Sequence, residues 1–104
     1  MAELTVIYWR DIPAQVTATA GGRTARIALP ARFQDAIDAA AMAAGLVGSD
    51  EYLGEWRREQ RDCSDDIERE TAAEADRLEA LHPAETLHSL ASAGGMSARR
   101  GRFA

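Results

Sequence analysis

An α+β fold is the expectation for this chain: a three-stranded antiparallel β-meander followed by three helices packed on one face. Two observations carry it. Residues 4–29 alternate apolar and polar side chains around a Gly21-Gly22 pair, and residues 33–81 shift to apolar stripes spaced by three and four. The first period belongs to strands with one buried face, the second to amphipathic helices.

Leu4 to Trp9 is rich in strand-favouring Thr, Val, Ile, Tyr and Trp. Arg10-Asp11-Ile12-Pro13 ends that strand, because proline lacks an amide donor and fixes its φ. From Gln15 to Ala20, Val16, Ala18 and Ala20 fall on one face and Gln15, Thr17 and Thr19 on the other. Gly21-Gly22 suits the positive φ angles of a tight hairpin. Thr24 to Leu29 returns with Ala25, Ile27 and Leu29 inward. Pro30 then suits a helix start, and Phe33, Ala36, Ile37, Ala40, Ala41 and Ala44 form one stripe. The alanines imply close approach of this 30–44 helix to the inner face of the sheet. Ser49 is read as the cap of a second helix whose apolar face is Tyr52, Leu53 and Trp56, with Arg57 to Asp62 beyond it as a solvated surface. A third helix is expected from near Asp65, with Glu68 completing a capping box, through Ile67, Thr71, Ala75, Leu78 and Leu81 to His82-Pro83. The two acidic helices are expected to complete the layer. Glu85 to Ala91 forms at most a short weak helix.

The chain has 104 residues, enough for one domain with one core. The expected division is a single α+β domain over 1–85 and a weakly structured basic tail over 86–104. One cysteine, Cys63, excludes an intrachain disulfide framework and suits a reducing compartment. Neither a signal-peptide pattern nor a run long enough to span a bilayer is present in the sequence, so a cytoplasmic location with no membrane partner is expected. Charge is segregated: Arg10, Arg23, Arg26 and Arg32 make the first third basic, residues 33–85 are strongly acidic, and Arg99, Arg100 and Arg102 sit in a tail without acids. The acidic centre repels phosphate, which argues against nucleic-acid binding except through that tail. All basic residues are arginine. GC-rich coding accounts for this and matches the alanine content; selection for bidentate anion binding is the alternative.

Catalytic and metal motifs are weak. Cys63, His82 and His88 lack the spacing of a metal site. Cys63 and His82 stand at opposite ends of one predicted helix, about 29 Å apart at the helical rise, so they cannot form a nucleophile–base pair. Gly45 to Ser49 is a mild anion-site candidate whose field Asp50 and Glu51 already occupy. The carboxylates from Asp62 to Glu70 lack the spacing of a calcium loop. No catalytic residue and no metal ligand is assigned. The aromatic and arginine residues are more informative, because those types dominate binding interfaces. Tyr8, Trp9, Arg10 and Asp11 at the strand exit, Arg32, and the Tyr52, Trp56 and Arg57 face are the expected binding residues. The strand exit is read as an edge-of-sheet recognition element.

Tyr8-Trp9-Arg10-Asp11-Ile12-Pro13, followed by Arg32-Phe33-Gln34-Asp35-Ala36-Ile37-Asp38 and Tyr52-Leu53-Gly54-Glu55-Trp56-Arg57, resembles a small bacterial family. It is labelled "virulence factor", after the conserved virulence factor C type of protein. The resemblance covers about residues 3–85, leaves the tail outside, and brings no catalytic residues. It implies an accessory role beside folate- and corrinoid-dependent methyl transfer. Two functions follow as expectations. The first is a non-enzymatic accessory domain that docks on a protein partner and needs no cofactor. The second is a module that binds a folate or other anionic cofactor near Arg10, Arg32 and Arg57.

Overall fold

The computed structural model describes residues 2–96. Four strands, β1 (Ala2–Trp9), β2 (Ile12–Ala20), β3 (Arg23–Ala28) and β4 (Trp56–Cys63), form one antiparallel sheet in the order β3-β2-β1-β4. Four helices accompany it: α1 (Ala31–Ala43), α2 (Asp50–Gly54), α3 (Ile67–Leu81) and α4 (Ala84–Ser92). The α+β class and the meander hold. Three strands and three helices were expected, and the sheet gains a strand from the segment read as solvated surface.

That fourth strand explains its own disguise. Arg57-Arg58-Glu59-Gln60-Arg61-Asp62 pairs along the whole of β1, from Tyr8↔Arg57 to Glu3↔Asp62. Edge strands stay soluble by carrying charge, so an edge can be structured while showing no apolar alternation. Because β4 covers it, β1 is an interior strand and not the edge of the sheet. Among the described residues the edges of the sheet are β3 and β4.

One sheet face is apolar. Leu4, Val6, Val16, Ala18 and Ala20 are buried there, and α3 lies across them, contributing Ile67, Thr71, Ala75 and Leu78. The other face carries Gln15, Thr17, Arg26, Arg58 and Gln60, half-buried to exposed. The predicted stripe of α1 is the buried one, through Phe33, Ala36, Ile37, Ala40 and Ala41. It packs mainly on α4, with a smaller contact to β2, so the alanines let two helices approach and α3 takes the place on the sheet expected for α1. Leu81, the last residue of the predicted α3 stripe, is exposed. The cap of α3 is Asp66, whose side chain accepts from the Arg69 amide, one residue beyond the expected Asp65. Ser49 makes no side-chain cap and donates instead to Leu46 O.

Two turns shape the chain. Gly21 and Gly22 have φ of +53° and +82°, as a primed hairpin turn requires. At the other end Arg10-Asp11 joins β1 to β2, with Arg10 at φ +52°, and the register shifts between Ile7 and Tyr8 so that Tyr8 faces Pro13. A bulge there absorbs a residue that cannot donate to the ladder.

The packed body continues past residue 85. Leu87, Leu90 and Ala91 of α4 are buried, and the Gly95 amide closes the helix on Leu90 O at 2.7 Å. Asp11 N then donates to Gly95 O at 2.8 Å, tying the β1–β2 turn to the end of α4. The expectation for the tail falls, over 97–104, outside the described residues.

A Cβ on Gly95 would sit 2.9 Å from Trp9 Cζ3 at a φ of +90°, whereas one on Gly22 meets nothing within 4 Å. Gly95→Ala is expected to cost about 3 kcal/mol, combining overpacking with backbone strain, and Gly22→Ala about 1 kcal/mol from strain alone. Chemical denaturation of both variants checks the order; equal losses would refute the close approach of Gly95 to Trp9.

Candidate functional site

The strand exit singled out by the sequence converges with three distant segments. Trp9 is 0% exposed, and its Nε1–H donates to Tyr52 O at 2.9 Å. A buried indole needs that acceptor, since an orphaned donor costs about 1–3 kcal/mol. Its ring lies 5.5 Å from Tyr52, which meets Trp56 edge-on at 6.2 Å. Trp56 opens β4 opposite Trp9 and is not on a helix face. Trp9 therefore offers no surface to a partner; it anchors α2 and the α4 terminus to the sheet.

Arg10 and Arg57 are committed in the same way. Arg10 Nε donates to Glu55 Oε1 at 2.7 Å and its NH1 to Gly94 O at 2.9 Å, with the guanidinium 5.2 Å from the Trp9 ring. Arg57 Nε donates to Arg10 O at 2.8 Å, its NH2 to Asp11 Oδ1 at 3.4 Å, and its NH1 pairs with Glu59. Arg57 also covers the Tyr8 ring at 4.4 Å. Planar guanidinium forks suit such multiple demands. Arg32 belongs elsewhere: it lies over Phe33, reaches Glu79 O at 3.4 Å, and its buried Nε has no hydrogen-bond partner among the described residues. It starts α1, about 18 Å along the helix from the end where Ala44 approaches Gly94. Arg10 and Arg57 are thus brought together, each bonded to several internal acceptors, and Arg32 does not join them.

Tyr8 leads into a second group that sequence reading missed. It faces a cleft of about 220 Å³ between α3 and β4, lined also by Glu59, Arg61, Glu74 and Arg77. Glu74 is buried and accepts from Arg77 Nε at 3.0 Å and from Arg61 NH2 at 3.5 Å. The hydrogen bonds from Arg77 hold its carboxyl below the ordinary value, against the opposing effect of burial. Burial pushes the Tyr8 hydroxyl up, with Glu59 adding to the shift. Leu4 and Val6 form the apolar part of the cleft, and α3 contributes Glu74 and Arg77 to it.

An exposed apolar surface borders Tyr52. Met42 at the end of α1 is 71% exposed, Val47 64% and Leu53 67%. Met42 and Val47 border a groove of about 330 Å³ with Asp38, Ala41, Gly48 and Tyr52. Asp35, Asp38, Asp50, Glu51 and Glu55 are the charged residues between positions 33 and 56, which hold no arginine or lysine. Of the expected binding residues, only Tyr52 borders this groove. Met42 and Val47 were detectable in the sequence as large apolar residues off the α1 stripe.

Among the described residues no His, Cys, Asp and Glu cluster could hold a metal ion, and no helix is long and apolar enough to cross a membrane. The fold and its surfaces define a small α+β domain with an internally tied strand exit and an acidic, apolar groove. A family model described as Virulence factor matches residues 7–91, and the chain belongs to that family. No curated protein and no solved structure matches it.

Glu74 yields a prediction with a definite sign. A carboxyl held below its ordinary value of 4.5 contributes stability that is present above that value and lost as pH falls through the folded value. Arg61 and Arg77 are about half exposed and re-solvate when Glu74 is removed, which limits the loss. Glu74→Gln is expected to destabilise by about 1–2 kcal/mol at about pH 7, and the difference from wild type should narrow by about pH 3. Urea denaturation at both pH values reads this; a difference that does not depend on pH would contradict it.

Proposed function

We propose that this chain is a non-enzymatic docking module of the virulence factor family, working in the cytoplasm as the accessory of another protein through the α1–α2 groove. Its partner presents an amphipathic segment bearing arginine or lysine. The observation that carries the reading is the exposure of Met42 and Val47 on the groove that Tyr52 borders, with exposed Leu53 next to Tyr52 in the chain, in a stretch from 33 to 56 whose charges are all acidic. Exposed apolar residues gathered on one groove mark interaction surfaces, whereas scattered ones are ordinary. Tyr52 supplies a rigid aromatic whose backbone carbonyl is already held by Trp9. Met42 supplies an adaptable side chain of the kind that recurs on docking surfaces. The acidic rim selects a basic partner and speeds encounter, while the apolar floor supplies the burial.

The reading is tested with peptides selected from a random displayed library against the full chain. Selected peptides are expected to combine apolar residues with arginine or lysine. Their binding should fall at least roughly tenfold, about 1.4 kcal/mol, in the Met42→Asp/Val47→Asp variant. Leu81→Ser, which removes an exposed leucine outside the groove, should leave it unchanged. Peptides without basic bias, or binding indifferent to Met42 and Val47, would overturn the docking function.

A further inference from the structure

Among the described residues the outer side of β4 lies beside no other strand. Every second residue there turns its N–H and C=O away from β1. Charge on such an edge normally keeps strands apart, but the order of charges along β4 admits one exception. When two copies pair antiparallel about Gln60, Arg58 stands opposite Asp62 of the second copy, and Glu59 opposite Arg61 of the second copy. Both pairs recur by the two-fold symmetry. Unlike charges directly opposed favour a ladder, and like charges disfavour it. A slip of one residue sets Arg58 against Arg61, or Glu59 against Asp62. A slip of two sets Glu59 or Arg61 against its own copy. The strand therefore carries its own register.

The side chains that such a pairing needs are accessible. Arg58 to Asp62 are exposed. Among the described residues the Arg58 guanidinium and the Asp62 carboxylate have no hydrogen-bond or ion-pair partner. On the axis Gln60 meets its own copy, where two amides are able to exchange hydrogen bonds. α3 packs chiefly on β2 and β3, set back from the β4 edge by β1. The opposite edge offers nothing comparable: β3 carries Arg23 and Arg26 and no acid, and Arg23 is engaged by Asp65 O and Glu68. We propose that two copies of this chain join through β4, antiparallel and centred on Gln60, so that their two sheets become one. A two-fold pairing closes on itself, and the assembly stops at two. The α1–α2 groove takes none of its lining from residues 57–63, so the dimer neither uses that groove nor depends on the docking function.

Charge exchange tests the register. Sedimentation of the full chain is expected to show a dimer that weakens as salt is raised, since exposed ion pairs are screened. Arg58→Asp and Asp62→Arg should each weaken it at least about tenfold, because both symmetric pairs become repulsive. Mixing the two variants should restore the dimer, since each supplies the charge that the other lacks. A wild type that stays monomeric to about 1 mM overturns the proposal. So does a dimer indifferent to both changes, or a mixture of the variants that stays monomeric. Assemblies larger than two also overturn it, because they would need an open pairing such as β3 on β4. Disulfide trapping gives a second reading in a Cys63→Ser background, which removes the native thiol. Gln60→Cys should oxidise to a linked dimer, as opposed Cα atoms lie about 4.5–5.5 Å apart, within disulfide range. Arg58→Cys should not, its two copies being about 14 Å apart; equal cross-linking of both refutes the register. Met42→Asp/Val47→Asp should leave the dimer intact, and its loss there would move self-association to the groove and overturn the β4 pairing. If the chain is monomeric while basic peptides still bind the groove, the β4 dimer falls and the docking function stands.

Discussion

The burial of the Trp9 indole is the constraint on which the other contacts depend. A ring of that size at the end of a strand has to be walled by something, and in a short chain the walls come from far along the sequence. Tyr52 supplies one wall and accepts the indole N–H, and Gly95 supplies another by having no side chain. Three segments separated by some forty residues each are thereby fixed to one another. The indole thereby joins α2 and the end of α4 to the sheet. Without the indole, the groove beside Tyr52 would lose the carbonyl contact that positions its aromatic wall.

The polar residues next to Trp9 complete the same junction. Arg10 links Glu55 to Gly94, and Arg57 links the Arg10 carbonyl to Asp11. These bonds are partly buried, where charge-assisted hydrogen bonds are stronger than on an open surface. Their geometry matches the needs of a backbone turn at positive φ, whose amide and carbonyl groups must find partners outside any ladder. The segment Tyr8 to Pro13 is therefore tied into the architecture of the domain at this junction.

The meander, the α1 stripe and the α3 stripe were legible because each buries one face against the rest, and burial imposes a period on the residues. β4 was not legible, because its stability comes from a ladder to β1 and the side chains from Arg58 to Asp62 are exposed, which imposes no period. The same reasoning applies to the residues expected to bind. Tyr8, Trp9, Arg10, Asp11 and Arg57 do come together, as their residue types suggested, but Arg32 follows its helix to another neighbourhood. Met42 and Val47 stand off the α1 stripe in the sequence, but a single exposed apolar residue is ordinary, and only proximity turns two of them into a surface.

From its sequence alone this chain determined its class, its hairpin at Gly21-Gly22, the buried faces of α1 and α3, and the separation of an acidic middle from basic ends. Those are local or compositional properties, set by side-chain period, glycine backbone freedom and charge. Tertiary structure alone decided that β1 is interior, that α3 covers the sheet while α1 pairs with α4, and that Trp9 faces inward onto Tyr52 and Gly95. Each of those depends on which distant segments meet, and the free energy of meeting is shared among partners that no single stretch of sequence contains.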